Sequence, residues 1–535
     1  MGRAMSLIWC PAGLFGRGLL LWLCLLAFVS GEAPASAETV VRTVPILDLR
    51  LLDPYQNPNY GTRNHGHLIY ETLFAPDSNG KPQPQMVGDW SVSSDRLVWR
   101  FTLRPGLNWH DGKPVTTADV IASLERLMSK DALGAKLRAS LASLKADDDR
   151  TFSLTLTQPF ALVLDALAKV SGFASFILPE RFARMKDGDK AFEPIGSGAF
   201  VFRRDQWKPG VRVVYEKNRD YKPRPEPADG LAGGRVVKVD RVEGTIMPDM
   251  NTAANALSAG EVDLLESVTF DVLPQLQADQ NLIMSTTDPI GQQHYLRMNH
   301  LYPPFDNPKA RQALLYIMDQ DVYGQAVTGN KSFYKVCPAF LMCGSPYGST
   351  AGAVKPDLEK ARQLLAESGY KGEKIVVLDP AQPSFGPPTQ VTAAMLRKIG
   401  VNVELQAMDF NSSVVRRSKK DPPEKGGWHL FHSGSFGVEV VSPMTSTYLA
   451  STCEQAAPGW PCDKEIEALK DEFARTESLE GRKAVAEKIQ LRAMEFVPYV
   501  PVVQTATFMV HRKNLTGVTT GVPFVIYWGM QKPGG

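Results

Sequence analysis

One segment of the chain has the pattern of a β-loop-α-β unit, and this pattern restricts the possible folds more than any other feature of the sequence. The apolar stretch 375–378 predicts a strand, 379–388 a Pro-rich loop, 389–398 a helix and 401–406 a second strand. Such units build parallel sheets, whose ligands bind at the carboxyl ends of the strands. We therefore expect an α/β fold with a binding site at strand ends.

A second loop belongs to the same region of the predicted sheet. The loop 432–443 follows a short apolar strand at 428–431 and consists mainly of small polar residues. It also carries one aromatic residue, Phe436, and one acidic residue, Glu439. Because this loop and the loop 379–388 both follow predicted strands, we expect them to line one cleft.

Strand and helix patterns alternate along the rest of the chain. Apolar residues at every second position predict strands at 97–103, 152–156 and 211–215. Capping residues in front of apolar stripes predict helices that begin after Thr116, Asn307 and Asp357. The stretch around Arg416 and Arg417 is expected to be a solvated helix face, and Trp428 to be a core residue.

The N-terminal segment 1–37 has the features of a cleaved signal peptide. The apolar run 19–29 has the length of a signal core and is too short to span a bilayer. The sequence Ala35-Ser36-Ala37 has the small residues that a signal peptidase requires, so Glu38 is expected to begin the mature chain. The mature protein is therefore expected to be soluble and exported.

Length and charge limit the class of protein. The sequence has 535 residues, which is enough for two or three domains after removal of the signal peptide. Its 59 basic and 57 acidic residues give a formal net charge of +2. A nucleic-acid-binding protein usually has a strongly basic surface, so we expect no nucleic acid among the partners.

Four cysteines remain in the expected mature chain, in two close pairs. Cys337 stands near Cys343, and Cys453 near Cys462. In an oxidising compartment such pairs indicate small disulfide loops. The alternatives are a four-cysteine zinc site, whose usual spacing of two to four residues neither pair has, and four unpaired thiols.

Motifs for catalysis or metal binding are weak. There is no Gly-x-Ser-x-Gly nucleophile motif and no Walker loop. His65 and His67 would share a face if they lay on a strand, whereas His429 and His432 would not. We expect these histidines to be structural, and 110–112 to form a turn. The sequence therefore supports neither an enzyme nor a metal site.

Several segments together resemble the extracellular solute-binding proteins, family 5, of ABC transporters. The most specific is FTLRPGLNWHDGKPVTTADVIASLERL at 101–127, and the matches follow the family order over nearly the whole expected mature chain. The other segments that carry the resemblance are IYETLF (69–74), PIGSGAFVF (194–202), YEKNRDY (215–221), ALSAGEVDLL (256–265), ARQALLYIMD (310–319), KARQLLAESGY (360–370) and KIGVNVEL (398–405).

The resemblance implies a two-lobed periplasmic binding protein of type II, with mixed sheets flanked by helices and an extra subdomain in lobe I. The segments that it implies are lobe I at 38–70, 190–290 and 505–535, the extra subdomain at 71–189, and lobe II at 291–504. A hinge motion would enclose a ligand between the lobes, and a permease would recognise the closed form.

The resemblance also implies a ligand site. In peptide-binding members a carboxylate after this strand pairs with the α-ammonium group of the peptide, and Glu439 stands at that position, with Phe436 beside it. Ser433 and Ser435 would donate hydrogen bonds, and Tyr295 and Asn299 would lie at the cleft wall. For Glu439 the alternative is a solvated loop residue, and for Tyr295 it is packing under the hinge.

The expected function is that of a periplasmic receptor, in a Gram-negative bacterium, which delivers an amine-bearing solute to an ABC permease. An oligopeptide is the first choice of solute, because the loop 379–383 lacks the arginine that holds the carboxylate in dipeptide receptors. An opine, a sugar conjugate or a metal chelate held through histidine is the alternative, and a secreted hydrolase is a third. We expect a monomer without a cofactor.

Overall fold

The computed structural model describes residues 38–533, so the predicted signal peptide lies outside the described residues. Within this range the strands form two large mixed sheets, a four-stranded antiparallel sheet and a two-stranded ribbon. Helices pack against the sheets, which confirms the α/β class.

The strands in chain order are β1 (Val40–Val44), β2 (Phe74–Pro76), β3 (Pro82–Pro84), β4 (Val87–Val92), β5 (Val98–Leu103), β6 (Leu141–Ala146), β7 (Thr151–Leu156), β8 (Phe200–Phe202), β9 (Arg212–Lys217), β10 (Arg241–Thr245), β11 (Leu264–Leu265), β12 (Leu282–Thr286), β13 (Gln292–Met298), β14 (Tyr334–Lys335), β15 (Ile375–Pro380), β16 (Val403–Met408), β17 (Leu430–Phe436), β18 (Val500–Thr505) and β19 (Phe508–Arg512).

The α-helices in chain order are α1 (Tyr60–Ile69), α2 (Thr117–Lys130), α3 (Ala132–Ala139), α4 (Val163–Leu167), α5 (Glu180–Ala183), α6 (Met250–Ala259), α7 (Leu273–Ala278), α8 (Pro308–Tyr316), α9 (Gln320–Thr328), α10 (Leu358–Glu367), α11 (Gly386–Lys398), α12 (Phe410–Arg417), α13 (Gly437–Val440), α14 (Lys464–Arg475) and α15 (Leu479–Phe496).

The first large sheet has seven strands in the order β12-β19-β11-β1-β10-β9-β8. Strand β1 is parallel to β10 and β11, and the other pairs are antiparallel. Leu257 of α6 and Leu273 of α7 pack against Val510 of β19 in its core. The apolar stripes of these helices thus account for one of the buried faces of the sheet.

The second large sheet has six strands in the order β14-β18-β13-β17-β15-β16. Strand β15 is parallel to β16 and β17, whereas β17 is antiparallel to β13. The core beside it contains Leu314 of α8, Val377 of β15 and Val500 of β18. The strands of the two large sheets are distributed along the chain as the predicted lobe boundaries require, and the boundaries themselves stay a prediction.

The β-loop-α-β unit predicted from the sequence is β15-α11-β16. Its two strands pair in parallel, and each extends two residues beyond the predicted end, to Pro380 and Met408. The three predicted helix starts are confirmed as well. Asn307 and Asp357 accept hydrogen bonds from backbone N–H groups of α8 and α10, and Asp119 forms a capping box with Thr116 in front of α2.

The predicted loop 432–443 is wrong for its first half. All seven residues of β17 pair with β13, and α13 follows without an intervening loop. Ser433, Gly434 and Ser435 are small polar residues that we expected in a loop. The neighbouring strand satisfies their backbone groups, so pairing decides their conformation rather than intrinsic preference.

The prediction of a solvated face at Arg416 and Arg417 is also wrong. Both arginines are half-buried, and Arg416 donates a hydrogen bond of 2.8 Å to the carbonyl oxygen of Gly427. The neighbouring apolar residue Val415 is exposed instead. The two arginines therefore do not form the solvated face that we expected. Trp428, in contrast, is fully buried, as predicted.

Both cysteine pairs form the predicted disulfides. One joins Cys337 to Cys343, and the other joins Cys453 to Cys462. The zinc alternative is thereby excluded for these four residues. Between residues 38 and 533, no helix combines the length and the apolar character that crossing a bilayer requires.

Candidate functional site

Glu439 lies in the first turn of α13 and is half-buried. Its Oε2 accepts a hydrogen bond of 2.8 Å from the hydroxyl of Tyr60, at the start of α1. Its Oε1 accepts one of 2.8 Å from Ser171, which follows α4. The carboxylate therefore joins α13 to two segments that are far away along the chain, and the alternative of a solvated loop glutamate does not hold.

Arg63 is a cation beside this carboxylate that the sequence analysis did not identify. It lies on α1, one turn after Tyr60, and its guanidinium stacks on the ring of Tyr60 at 4.6 Å and on that of Phe524 at 4.8 Å. It donates hydrogen bonds to Ser171 Oγ (3.1 Å) and Asn64 Oδ1 (2.9 Å). Burial lowers the pKa of Arg63, and the negative charge of Glu439 opposes that shift.

Two further carboxylates act on Arg63. Asp288 accepts backbone hydrogen bonds from Ile290 (3.0 Å) and Val438 (3.3 Å). Glu266 accepts a hydrogen bond of 2.6 Å from the hydroxyl of Tyr527. Burial raises the pKa of both carboxyl groups, and both charges oppose the lowering of the pKa of Arg63. The charges of three carboxyl groups thus act on one arginine, without an ion pair to it among the described residues, and this excess of negative charge favours an additional cation.

We name this arrangement the Glu439 cluster; its members are Tyr60, Arg63, Ser171, Glu266, Asp288, Phe436 and Glu439.

Phe436 closes one side of the Glu439 cluster. Its ring packs against Tyr60 with a centroid distance of 4.8 Å. The next residue, Gly437, approaches so closely that a Cβ there would lie 2.9 Å from Ile290 and 3.0 Å from the carboxylate of Asp288. A cavity of about 10 Å³ remains beside Arg63 and Phe436, which is about the space of one water molecule.

Tyr295, Ser433 and Ser435 form a second group on the sheet. Tyr295 pairs with Ser433 across β13 and β17, and its hydroxyl lies 3.2 Å from Ser435 Oγ. The ring of Tyr295 also packs against Tyr448, and burial raises its pKa well above the usual value. Because successive residues of a strand point to opposite faces, the two serines do not share a face with Phe436.

Arg417 extends this second group. Its Nη1 lies 3.4 Å from Ser433 Oγ, and its guanidinium lies over the ring of Phe431 at 5.3 Å. No carboxylate between residues 38 and 533 forms an ion pair with it. The loop 379–383 contains no arginine, so Arg417 of α12 is the arginine that lies beside Ser433.

Asn299 is not brought together with the other predicted site residues. It is fully buried, and its Nδ2 donates a hydrogen bond of 3.0 Å to the carbonyl oxygen of Trp428. Its Oδ1 accepts a hydrogen bond of 3.1 Å from the backbone of Leu301. Both ends of the side chain are therefore occupied within the protein, which favours a structural role.

The histidine pairs do not form metal sites. His65 and His67 lie on α1 rather than on a strand, so they point in different directions and cannot chelate one ion. His65 contacts the hydroxyl of Tyr215 at 3.0 Å, and His67 the carbonyl oxygen of Val170 at 2.9 Å. In the described part of the chain, no three His, Cys, Asp or Glu side chains are grouped so that they could hold a metal ion.

Sequence reasoning identified Glu439 and Phe436 but missed Tyr60, Arg63 and Ser171. The two hydroxyl donors are separated from Glu439 by 379 and 268 positions. No local pattern marks such partners, because only the tertiary fold brings them close.

Comparison with known proteins gives relatives that cover most of the chain. The model of bacterial extracellular solute-binding proteins, family 5 (middle), matches residues 81–458. The chain is 39% identical over 518 residues to the probable peptide ABC transporter periplasmic-binding protein y4tO of Sinorhizobium fredii. That match covers 95% of this chain and 96% of the relative.

Two solved structures show the same fold. The periplasmic binding protein DppA from Helicobacter pylori, in complex with the peptide STSA, matches 93% of this chain and 98% of its own, with a TM-score of 0.78 and 22% identity. The periplasmic binding protein AgaA from A.tumefacien R10, in complex with agropinic acid, matches 92% and 98%, with a TM-score of 0.76 and 24% identity. These similarities confirm the predicted two-lobed fold.

Proposed function

The chain belongs to the bacterial extracellular solute-binding proteins of family 5, and from this premise we propose that it recognises an oligopeptide by its ammonium group at Glu439. Members of the family are substrate-binding receptors of ABC importers rather than enzymes, and this chain is such a receptor. The peptide is our proposal for the solute, supported by the name of the relative y4tO.

The observation that carries the proposal is that Glu439 has only neutral donors. Its two hydrogen bonds come from the hydroxyls of Tyr60 and Ser171, and no ion pair to it exists among residues 38–533. The carboxylate retains free lone pairs, and a charge-assisted bond is about twice as strong as a neutral one. An ammonium group therefore gains more at Glu439 than the hydroxyls do.

Binding requires an exchange of contacts, because the space beside the Glu439 cluster is too small for a peptide. The cavity there holds about 10 Å³. A solute can enter only when the segment around Glu439 moves away from Tyr60 and Ser171, as in the hinge opening of two-lobed receptors. The ammonium group then takes the place of one or both hydroxyls when the lobes close.

We place the carboxylate end of the solute at Arg417. This arginine is half-buried, contacts Ser433 and lacks a carboxylate partner in the described part of the chain. Arg63, in contrast, already has Glu266, Asp288 and Glu439 around it. Tyr295, Ser433 and Ser435 would line the path between the two charged ends.

The cellular setting follows from the family. Receptors of ABC importers act with permease subunits and lie outside the cytoplasmic membrane. We propose that residues 1–37 are removed as a signal peptide, that the protein is a periplasmic monomer, and that the closed form docks on the permease. Size-exclusion chromatography of the protein recovered from the periplasm tests the location and the monomeric state.

The proposal is tested first on protein purified without denaturation. Native mass spectrometry is expected to detect a co-purified solute whose mass fits a peptide; a mass that fits an opine or a sugar conjugate would support the alternative solute. Peptides of two to five residues with free amines should then raise the melting temperature, whereas the N-acetylated peptides should not.

A pair of variants tests the role of Glu439. Glu439→Gln should weaken binding of the free-amine peptides by about 2 kcal/mol or more, which is about 30-fold in affinity. The exposed Glu454 lies nearby in the sequence, and Glu454→Gln should bind like the wild type. Equal affinity of Glu439→Gln and wild type, or equal affinity for acetylated peptides, contradicts the proposal.

A further inference from the structure

A cavity of about 410 Å³ lies at a different place from the Glu439 cluster and shares no residue with it. It is lined by the loop 104–112, the segment 218–222, Glu71 and Ser197. Both stretches overlap the segments on which the family resemblance depends, and the function proposed above uses neither. We name it the Ser197 cavity. Its volume is in the range of small-molecule sites.

The walls of the Ser197 cavity are held in place by backbone contacts. The N–H of His110 donates a hydrogen bond of 2.7 Å to the carbonyl oxygen of Gly196. The ring of His110 and the side chain of Asn218 both bond to the carbonyl oxygen of Gly198, at 3.1 and 2.9 Å. Gly106, with a φ of 76°, allows the tight turn on the opposite side. The cavity is therefore formed before any ligand arrives.

Two buried polar side chains that line the cavity each have an atom without a partner. Ser197 is 3% exposed, and its Oγ makes no hydrogen bond with residues 38–533. Glu71 is 0% exposed; its Oε1 accepts from Arg104 (3.3 Å) and Tyr221 (3.0 Å), whereas its Oε2 has no partner there. Nearly all buried polar atoms in proteins are paired, so each of these two atoms would gain from a hydrogen bond with a ligand in the cavity.

The charges at the rim favour an anionic group. Arg219, Asp220 and Lys222 are exposed, and none of them forms an ion pair within the described residues. Together they carry one excess positive charge. A Cβ on Gly106 would lie 3.3 Å from the ammonium nitrogen of Lys222, so this lysine extends along the wall of the cavity.

We propose that the Ser197 cavity binds a free α-amino acid. The carboxylate pairs with Lys222 and Arg219 at the rim, and the ammonium group donates to the unpartnered Oε2 of Glu71. Ser197 supplies one more hydrogen bond. A solute with both charges satisfies the rim and the free oxygen of Glu71 at once, whereas a simple anion would leave Oε2 of Glu71 without a partner. This site is independent of the peptide site at Glu439.

The test is isothermal titration calorimetry of the mature protein with each of the twenty amino acids, and with the α-amides and N-acetyl derivatives of those that bind. At least one amino acid should bind, and both derivatives should bind about tenfold more weakly or not at all, a loss of about 1.4 kcal/mol or more. Absence of binding by every amino acid overturns the proposal, and so does equal binding of the derivatives.

Variants locate the site. Arg219→Glu/Lys222→Glu should abolish binding, whereas the exposed pair Lys217→Glu/Lys238→Glu, outside the cavity, should not change it. Ser197→Ala should weaken binding while leaving the melting temperature equal or higher, because it removes an unpaired buried hydroxyl. Survival of binding in the Arg219/Lys222 double variant overturns the proposal.

The Glu439→Gln variant separates this proposal from the peptide site. Binding of the amino acid should be unchanged in it, even if the peptide proposal is wrong. If Glu439→Gln abolishes amino acid binding, the amino acid occupies the site between the lobes, and the Ser197 proposal fails while the peptide proposal stands.

Discussion

Around Glu439 the protein leaves little space beside its charged groups, whereas around Ser197 an open cavity lies between the buried carboxylate of Glu71 and exposed charges at the rim. The first region leaves about 10 Å³ beside Arg63, and the charges of three carboxyl groups act on this one arginine. The second leaves about 410 Å³ between preformed walls. A ligand must displace protein contacts in the first region but only adds contacts in the second.

The largest test of this contrast removes one arginine from each region. Arg63→Met leaves Glu266, Asp288 and Glu439 without a buried cation, and should lower the free energy of unfolding by about 3 kcal/mol. Arg219→Met removes an exposed, unpaired charge and should change it by less than about 0.5 kcal/mol. Urea denaturation of both variants measures the difference. Similar losses for the two arginines would contradict the contrast.

The second test uses one neutral histidine near each region: the buried His432 on β17, the strand that ends at Phe436, and the half-buried His110 in the Ser197 cavity. Burial, together with the smaller effect of the positive charge of a protonated His294, lowers the pKa of His432 to about 3. Burial also lowers the pKa of His110, in the Ser197 cavity, to about 4, against the opposing effects of its bond to Gly198 and of Asp111.

The sign of the pH effect follows from these shifts. Above pH 6.5 each histidine is neutral in both states and its stability contribution is complete. As the pH falls from 6.5 towards the folded-state pKa, only the unfolded chain takes up the proton, so stability is lost. At pH 5 the loss is about 2 kcal/mol for each histidine.

Denaturation curves at pH 7 and pH 5 check this expectation. His432→Gln and His110→Gln should each lose less stability than the wild type between these pH values, by about 2 kcal/mol. If a variant loses as much stability between pH 7 and pH 5 as the wild type does, the histidine that it replaces is not held neutral in the folded protein. If only one variant differs, the two regions do not share this property.

The smallest test concerns one hydroxyl in each region. Tyr60→Phe keeps the ring against Phe436 but removes a donor to Glu439, which should favour the open form by about 1 kcal/mol. Small-angle scattering should show a larger radius of gyration without solute. Tyr221→Phe removes a donor to Glu71 inside the Ser197 cavity and should leave the radius unchanged. An unchanged radius in both variants would show that the Tyr60 hydroxyl does not hold the lobes together.

The sequence predicted those elements whose signals are local. Periodic apolar residues marked β5, β7 and β9, and the β-loop-α-β pattern predicted the parallel pairing of β15 with β16. Capping residues marked three helix starts, and close spacing marked both disulfides. Each of these signals lies within a few residues of the element that it predicts.

Predictions failed where distant partners decide the structure. Ser433 and Ser435 were expected in a loop, because small polar residues favour loops, but pairing with β13 keeps them in a strand. Arg416 and Arg417 were expected in solvent, whereas a carbonyl oxygen and a serine from other segments hold them at the protein side of α12.

The candidate site shows the same difference between local signals, which the sequence contains, and distant partners, which it does not reveal. Glu439 and Phe436 were recognised because a family pattern places them in one short stretch. Their partners Tyr60 and Ser171 come from positions more than 260 residues away in the sequence. The sequence therefore predicted the position of the Glu439 carboxylate, but it could not predict which groups would bond to it.

The position of the last two strands has a consequence for biosynthesis. Strand β18 pairs with both β13 and β14, and β19 with both β11 and β12, so each inserts between strands made much earlier. The six-stranded sheet therefore has a gap with two unpaired edges until β18 is complete at Thr505, and the seven-stranded sheet until β19 is complete at Arg512. A nascent or truncated chain that ends before Val500 thus exposes open edges in both sheets, which is the state most prone to aggregation and most dependent on chaperones.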